Sequence, residues 1–314
     1  MTGVLATSLD PQGPEAESIA DLWWLMLALG VAVFALVAVL LTAGLFRHRP
    51  PAGTEPHVDD GVRSRRWIVG GGVALPLVVI GVVLAATVAT MRDVSRAAPR
   101  GALVVDIVGH QWWWEVRYPE EGVTTANELH LPVGRPVAVQ LTSADVIHSF
   151  WVPALAGKLD ALPDGTNTLV LQADEPGQHR SACAEFCGLQ HANMQLIVTA
   201  EPADAFASWV TEHQRPGAPP TAAQARRGQE IFLRTDCASC HTVRGTTAEG
   251  TEGPDLTHVA SRPTLGAGAL PNTAGDLAAW VSDPHTSKDG VLMPAPDLSD
   301  EELADLLAYL KSLE

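Results

Sequence analysis

The sequence predicts a membrane-anchored multidomain fold: two transmembrane α-helices, then an all-β module, then an all-α module. Three observations predict it. Two stretches of 25 residues carry no charge. Residues 101–200 read as short Val- and Leu-rich runs broken by Pro, Gly, Asn and Asp. The last third carries helical patterning. At 314 residues the length alone suggests about two domains. The net charge is −16, yet the mean hydropathy is positive, +0.11, as expected of greasy segments joined to an acidic soluble part. That acidity argues against nucleic acid as a partner and favours a basic docking partner, although many soluble bacterial domains share it.

The first charge-free stretch is Leu22 to Phe46, between Asp21 and Arg47; the second is Trp67 to Met91, between Arg66 and Arg92. At 1.5 Å per residue each reaches roughly 37 Å, enough to cross the hydrocarbon core with some tilt. Trp23, Trp24 and Trp67 sit at segment ends, where amphipathic rings prefer the interface. Pro76 and the Gly70-Gly71-Gly72 run are tolerated inside a membrane helix. The intervening loop holds Arg47, Arg49, Arg63, Arg65 and Arg66, whereas the 21 residues before the first span hold four acids and no Lys or Arg. The positive-inside rule then places the loop in the cytoplasm and both termini outside. The missing basic n-region argues against a cleaved signal peptide, and no cysteine lies near the amino terminus to take a lipid.

The expected organisation is an outside segment over 1–21, a helical hairpin over 22–92, a β-sandwich module over 100–201, a linker over 202–221 and a helical module over 222–314. The linker carries the Pro-rich EHQRPGAPPT. In the last module Ala222 to Arg234 and Asp276 to Val281 read as helices. LSDEELADLLAYLKSL adds Ser299 as N-cap and a stripe of Leu303, Leu306, Leu307 and Leu310.

The four cysteines form two close pairs, Cys183 with Cys187 and Cys237 with Cys240, each with a histidine just downstream. A secreted disulfide scaffold would need more of them at wider spacing, so metal or cofactor chemistry comes first. In CAEFCGLQHANM, His191 and Met194 follow the first pair, and Gly188 permits a sharp turn after the second thiol. Thiolate, thioether and imidazole together select copper or another soft ion. A mononuclear copper site would use one cysteine, so two thiolates suggest two ions bridged by sulfur. A structural zinc site, a redox dithiol and a copper-delivery protein are the competing readings.

The string C-x-E-x-C-G-x-x-H-x-x-M resembles the CuA loop of cytochrome c oxidase subunit II. That family takes its first histidine from an earlier strand, and His148 in SADVIHSFWVP matches it. The resemblance implies that Cys183 and Cys187 bridge two coppers. His148 and Met194 would complete one; His191 and the Glu185 carbonyl would complete the other. It further implies a Mg2+ ligand in the Glu185 side chain, at the border with the catalytic subunit. GHQWWW resembles the family's aromatic patch, in which Trp112 would receive electrons; three adjacent aromatics also fit ordinary packing. Period-2 alternation puts Trp112 and Trp114 on one face. His110 reads as a core histidine, and His130 and His179 as surface or structural. The resemblance covers about residues 20 to 200 and implies a cupredoxin-like β-fold. Two features depart from it. The loop after Lys158 and Asp160 lacks the family's arginine, and the second span lacks a carboxylate, Asp59 and Asp60 lying outside it. The latter puts proton uptake by that route in doubt.

CASCH, Cys237 to His241, is the attachment signature of covalent haem c, with His241 as axial ligand. ARRGQEIF and GPDL resemble small class I cytochromes c. Met293, the one methionine after CASCH, is the expected sixth ligand; His258 and His285 are its rivals. Met/His ligation raises the haem potential, which suits donation towards copper. These resemblances imply the electron-receiving subunit of a bacterial terminal cytochrome c oxidase in the cell membrane. Its partners would be catalytic subunit I, subunit III and a donor such as a cytochrome c or a cytochrome bc-type complex. Electrons would run from haem c to CuA to the partner that reduces oxygen. A nitric oxide reductase subunit and a copper or redox assembly factor are the alternatives.

Overall fold

The computed structural model describes residues 9–47 and 61–314. Arg49, Asp59, Asp60 and the first eight residues of the expected outside segment lie outside the described residues. Among the described residues, 17–47 and 61–96 form one compact unit, and 9–16 with 97–314 form the other.

In the first unit both helices are long and apolar enough to cross a membrane, and they are exposed along their length. Phe34, Leu41 and Phe46 of the first and Leu77, Ile80 and Leu84 of the second are all open to the surroundings. Helices apolar all round with no protein cover suit lipid. The first helix runs Pro14–Phe46, starting eight residues before the charge-free stretch. Proline's fixed φ and missing N–H suit a first turn. The second span is interrupted: Val62–Val69, a π-helical turn at Gly70–Ala74, then Leu75–Val94. Pro76 sits in the first turn of the last segment. Proline lacks the N–H that would continue the ladder, and the glycine run lets the wider turn form before it.

The β-module is a sandwich of one large and two small sheets. The five-stranded sheet has the order Val123–Ala126, Trp113–Tyr118, Leu103–His110, Val137–Ser143, Asn167–Leu171. Leu103–His110 alternates buried and half-buried residues, as a strand with one face on the core must. Two three-stranded sheets complete it. One orders Glu128–Pro132, Ile197–Glu201 and Gly177–Arg180; the other orders Ala182–Cys183, His148–Trp151 and Leu159–Ala161. In the latter, Cys183 pairs with Phe150, which draws the first cysteine and His148 to one end of the sheet. Leu103, Ile107, Trp114, Tyr118, Leu141, Phe150 and Met194 belong to one continuous core.

The aromatic run is a hairpin rather than one strand. Leu103–His110 turns at Gln111 and Trp112 and returns as Trp113–Tyr118. Alternation along one strand therefore does not relate Trp112 to Trp114: Trp114 is fully buried in the core, while Trp112 sits in the turn, half-buried and packed against that core. The residues expected as linker also divide. Ala203–His213 is a helix whose Phe206 and Val210 join the β-module core beside Tyr118. Its apolar spacing of three and four residues needed no linker flexibility. The Pro-rich stretch beyond it is anchored, with the Gly217 amide donating to the Arg244 carbonyl.

In the last module Ala223–Arg234 crosses Asp300–Leu310, and Ser299 closes a capping box with Glu302 at the head of the latter. The crossing is tight at Gly228, where an added Cβ would lie 2.0 Å from the Asp305 carbonyl oxygen. Gly228→Ala should therefore destabilise this module by about 1–3 kcal/mol, as overpacking does. Thermal unfolding followed at the haem absorbance checks it; an unchanged midpoint would show that the helices can part freely.

Candidate metal centre

Six donors converge at one end of the β-module, five from residues 183–194 and one, His148, from an earlier strand. Cys183 and Cys187 Sγ atoms stand 3.7 Å apart. His148 Nδ1 is 3.9 Å from Cys183 Sγ, and His191 Nδ1 is 3.6 Å from Cys187 Sγ. Met194 Sδ is 3.9 Å from Cys187 Sγ, and the Glu185 carbonyl oxygen is 3.3 Å from Cys183 Sγ. His148, Cys183 and Cys187 are all buried and form a compact potential metal-binding group. The sulfurs are far beyond the roughly 2.05 Å of a disulfide. Two thiolates on one ion at about 2.3 Å with a tetrahedral angle would stand about 3.7 Å apart, so the spacing fits shared metal.

The electrostatics point the same way. Burial raises Cys183, but hydrogen bonding to His148 and to nearby backbone outweighs it and brings its pKa to about 6. Burial and the neighbouring Cys183 push Cys187 up to about 12. One thiolate thus opposes the other unless a cation lies between them. The donor set of thiolates, imidazoles and a thioether fits a soft metal.

Around the donors lies a ring of supports, of which sequence reasoning missed Asp145, Gly109 and Gln111. Asp145 Oδ1 is 2.8 Å from His148 Nε2. A proton on Nε2 donated to this carboxylate leaves the Nδ1 lone pair facing Cys183, the arrangement that orients a metal-ligating histidine. Burial raises Asp145, yet the hydrogen bonds from His148 and from the Val146 and Gln111 amides prevail, and its pKa falls below the usual value. Gly109 leaves room for the imidazole: a Cβ there would lie 2.7 Å from His148 Cδ2. Only the DVIH spacing of Asp145 to His148 signalled any of this. Trp112 Nε1 and Gln111 Nε2 both donate to the Cys187 carbonyl, at 2.9 and 2.7 Å. Gly188 takes φ +112°, the sharp turn expected after the second thiol. Three other histidines of the β-module stand apart from these donors. His110 stacks on Trp113, His130 lies 2.9 Å from Glu201, and His179 is buried.

In the helical module Cys237–Cys240 is a single helical turn with both thiols free and half-buried. His241 Nδ1 donates to the Pro254 carbonyl at 2.8 Å, which leaves Nε2 uncommitted for an axial bond. Both ring nitrogens of His258 already face carbonyl oxygens, of Glu314 at 2.8 Å and Arg215 at 3.1 Å. His285 is exposed, and Met293 is half-buried.

Comparison with known proteins agrees with this geometry. Residues 121–201 match the model of the cytochrome c oxidase subunit II periplasmic domain, and residues 225–314 match that of cytochrome c. Cytochrome c oxidase subunit 2 of Alkalihalophilus pseudofirmus is 35% identical over 100% of this chain and 94% of its own length. The chain belongs to the cytochrome c oxidase subunit 2 family. The Bacillus subtilis subunit 2 is 30% identical over 98% of this chain and 92% of its own. The solved periplasmic domain of subunit II of Bradyrhizobium japonicum cytochrome oxidase is 31% identical; it covers 38% of this chain and 97% of itself, with a TM-score of 0.37. Within that family, whose members are subunits of an oxidoreductase complex, the chain joins a subunit II periplasmic domain to a cytochrome c domain. Its two domains imply copper and haem respectively. The two apolar helices and the periplasmic-domain match together describe a membrane-anchored protein.

Asp145→Asn, which exchanges the carboxylate for an amide beside His148, should lower copper affinity about 10- to 100-fold. Copper titration against a competing chelator measures it; wild-type affinity would show that Asp145 does not orient the ligand.

Proposed function

We propose that this subunit accepts single electrons at a covalent haem c and delivers them through a dicopper centre to a catalytic partner that reduces oxygen to water. The observation that carries the reading is the convergence of two unbonded thiolates, two imidazoles, a thioether and a carbonyl on one buried point. Cys183 and Cys187 would bridge the coppers, with His148 and Met194 on one and His191 and the Glu185 carbonyl on the other. Cys237 and Cys240 would carry the haem vinyl bonds, with His241 and Met293 as axial ligands. His258 is already engaged at both nitrogens, which favours Met293. When bound, these groups supply one-electron transfer with little rearrangement.

The chain's own residues prepare that chemistry. Asp145 orients His148, and the buried core around Met194 excludes water. The Trp112 indole reaches the ligand loop through the Cys187 carbonyl, which supports its role in passing electrons to copper. Glu185 is exposed beside Phe186, itself 78% exposed, a surface suited to the catalytic subunit and to a Mg2+ at that border. Subunit III and a cytochrome c or bc-type donor complete the expected assembly. Arg47, Arg65 and Arg66 between the spans support an orientation with the soluble modules on the periplasmic face. Full-length similarity to proteins named cytochrome c oxidase subunit 2 favours oxygen over nitric oxide as acceptor.

The purified complex should contain two coppers and one c-type haem per copy of this chain and should consume oxygen. Cys183→Ser should abolish the dicopper absorbance and oxygen consumption while keeping the haem α-band. A single labile copper, or full turnover in that variant, would overturn the reading. Met293→Ala should lower the haem potential, because the Met/His pair raises it. His285→Ala should leave it unchanged; a shift there instead would reassign the sixth ligand.

A further inference from the structure

Lys288 is 2% exposed although nothing in its local sequence marks it as a core residue. Its Nζ donates to three backbone carbonyls: Trp112 at 2.7 Å, Asn193 at 2.7 Å and Gly266 at 2.9 Å. Trp112 lies in the aromatic turn, Asn193 lies between His191 and Met194, and Gly266 belongs to the helical module. One ammonium thus spends two protons on the β-module and the third on its own module, and no carboxylate accepts from it. Contacts beside it join the same surfaces. Gln190 Nε2 donates to the Asp289 carbonyl at 2.7 Å, and the Gln195 amide donates to the Ala267 carbonyl at 2.9 Å. A Cβ on Gly290 would lie 3.0 Å from Leu189 Cδ2, so the Leu189 side chain packs against the backbone next to Lys288. Arg262 of the helical module is buried 3.8 Å from the buried Glu128 of the β-module.

From this geometry we propose that Lys288 is a positioning residue that latches the haem module onto the copper loop. The latch rests on the electron-transfer reading above for its purpose, but not for its existence. Lys288 stands five residues before Met293, so fixing it against Trp112 and Asn193 fixes the Met293 segment against the copper ligands. The fused module covers the Trp112 turn, so an outside donor delivers to the haem module and not to copper directly. A lysine is needed because three carbonyls converging on one buried point require three donors on one atom.

The test uses the intact oxidase complex. In Lys288→Met, which keeps the stem and removes the donors, hydrogen exchange at the Gln195 amide should accelerate at least about tenfold, as a 1.4 kcal/mol loss of docking requires. The Leu303 amide, bonded to the Ser299 carbonyl inside the last helix, should exchange as before. An unchanged Gln195 rate would overturn the proposal. If Leu303 accelerates as well, the module itself has loosened and the unaltered chain decides. That chain has three lysines, and Lys158 and Lys311 are exposed. Mild acylation should modify those two and spare Lys288; labelling of Lys288 at the rate of Lys311 overturns the latch. Failure of the electron-transfer reading shows separately, as missing copper or haem absorbance, which neither exchange nor acylation reads.

Discussion

Two sulfurs held 3.7 Å apart, with no bond between them, set the conditions that the rest of the molecule meets. Like partial charges at that distance in a dry interior repel, and the opposed shifts of Cys183 and Cys187 record it. The strand pairing of Cys183 with Phe150 fixes the first sulfur, and the turn at Gly188 fixes the second.

The supports are layered. Asp145 holds His148, Gly109 makes room for it, and the Gln111–Trp112 turn grips the Cys187 carbonyl from outside. The helical module then closes on that turn through Lys288 and on the ligand loop through Gln190 and Gln195. Each layer uses backbone carbonyls and amides, whose positions follow from the fold, more than side-chain pairs. The copper loop therefore serves both modules: one face holds the donors and the other seats the neighbouring domain.

Much of this was legible in the sequence, for physical reasons. Charge-free length pointed to the spans, and Cys, His and Met spacing singled out the residues that converge around Cys183 and Cys187. The capping box at Ser299 was readable because it is local. What escaped was non-local or hidden by composition. Trp112 looked like a strand residue because the hairpin turn beside it contains no Gly, Pro or Asn. Ala203–His213 looked like linker because the Pro-rich run directly after it dominated the reading. Lys288 joins partners 176 and 95 residues away, which no local pattern encodes.

The central claim is that Cys183 and Cys187 share two coppers. Electron paramagnetic resonance of the copper-loaded, one-electron-oxidised protein tests it most directly. The account predicts hyperfine structure from one unpaired electron spread equally over two copper nuclei. A signal split by a single nucleus would contradict it.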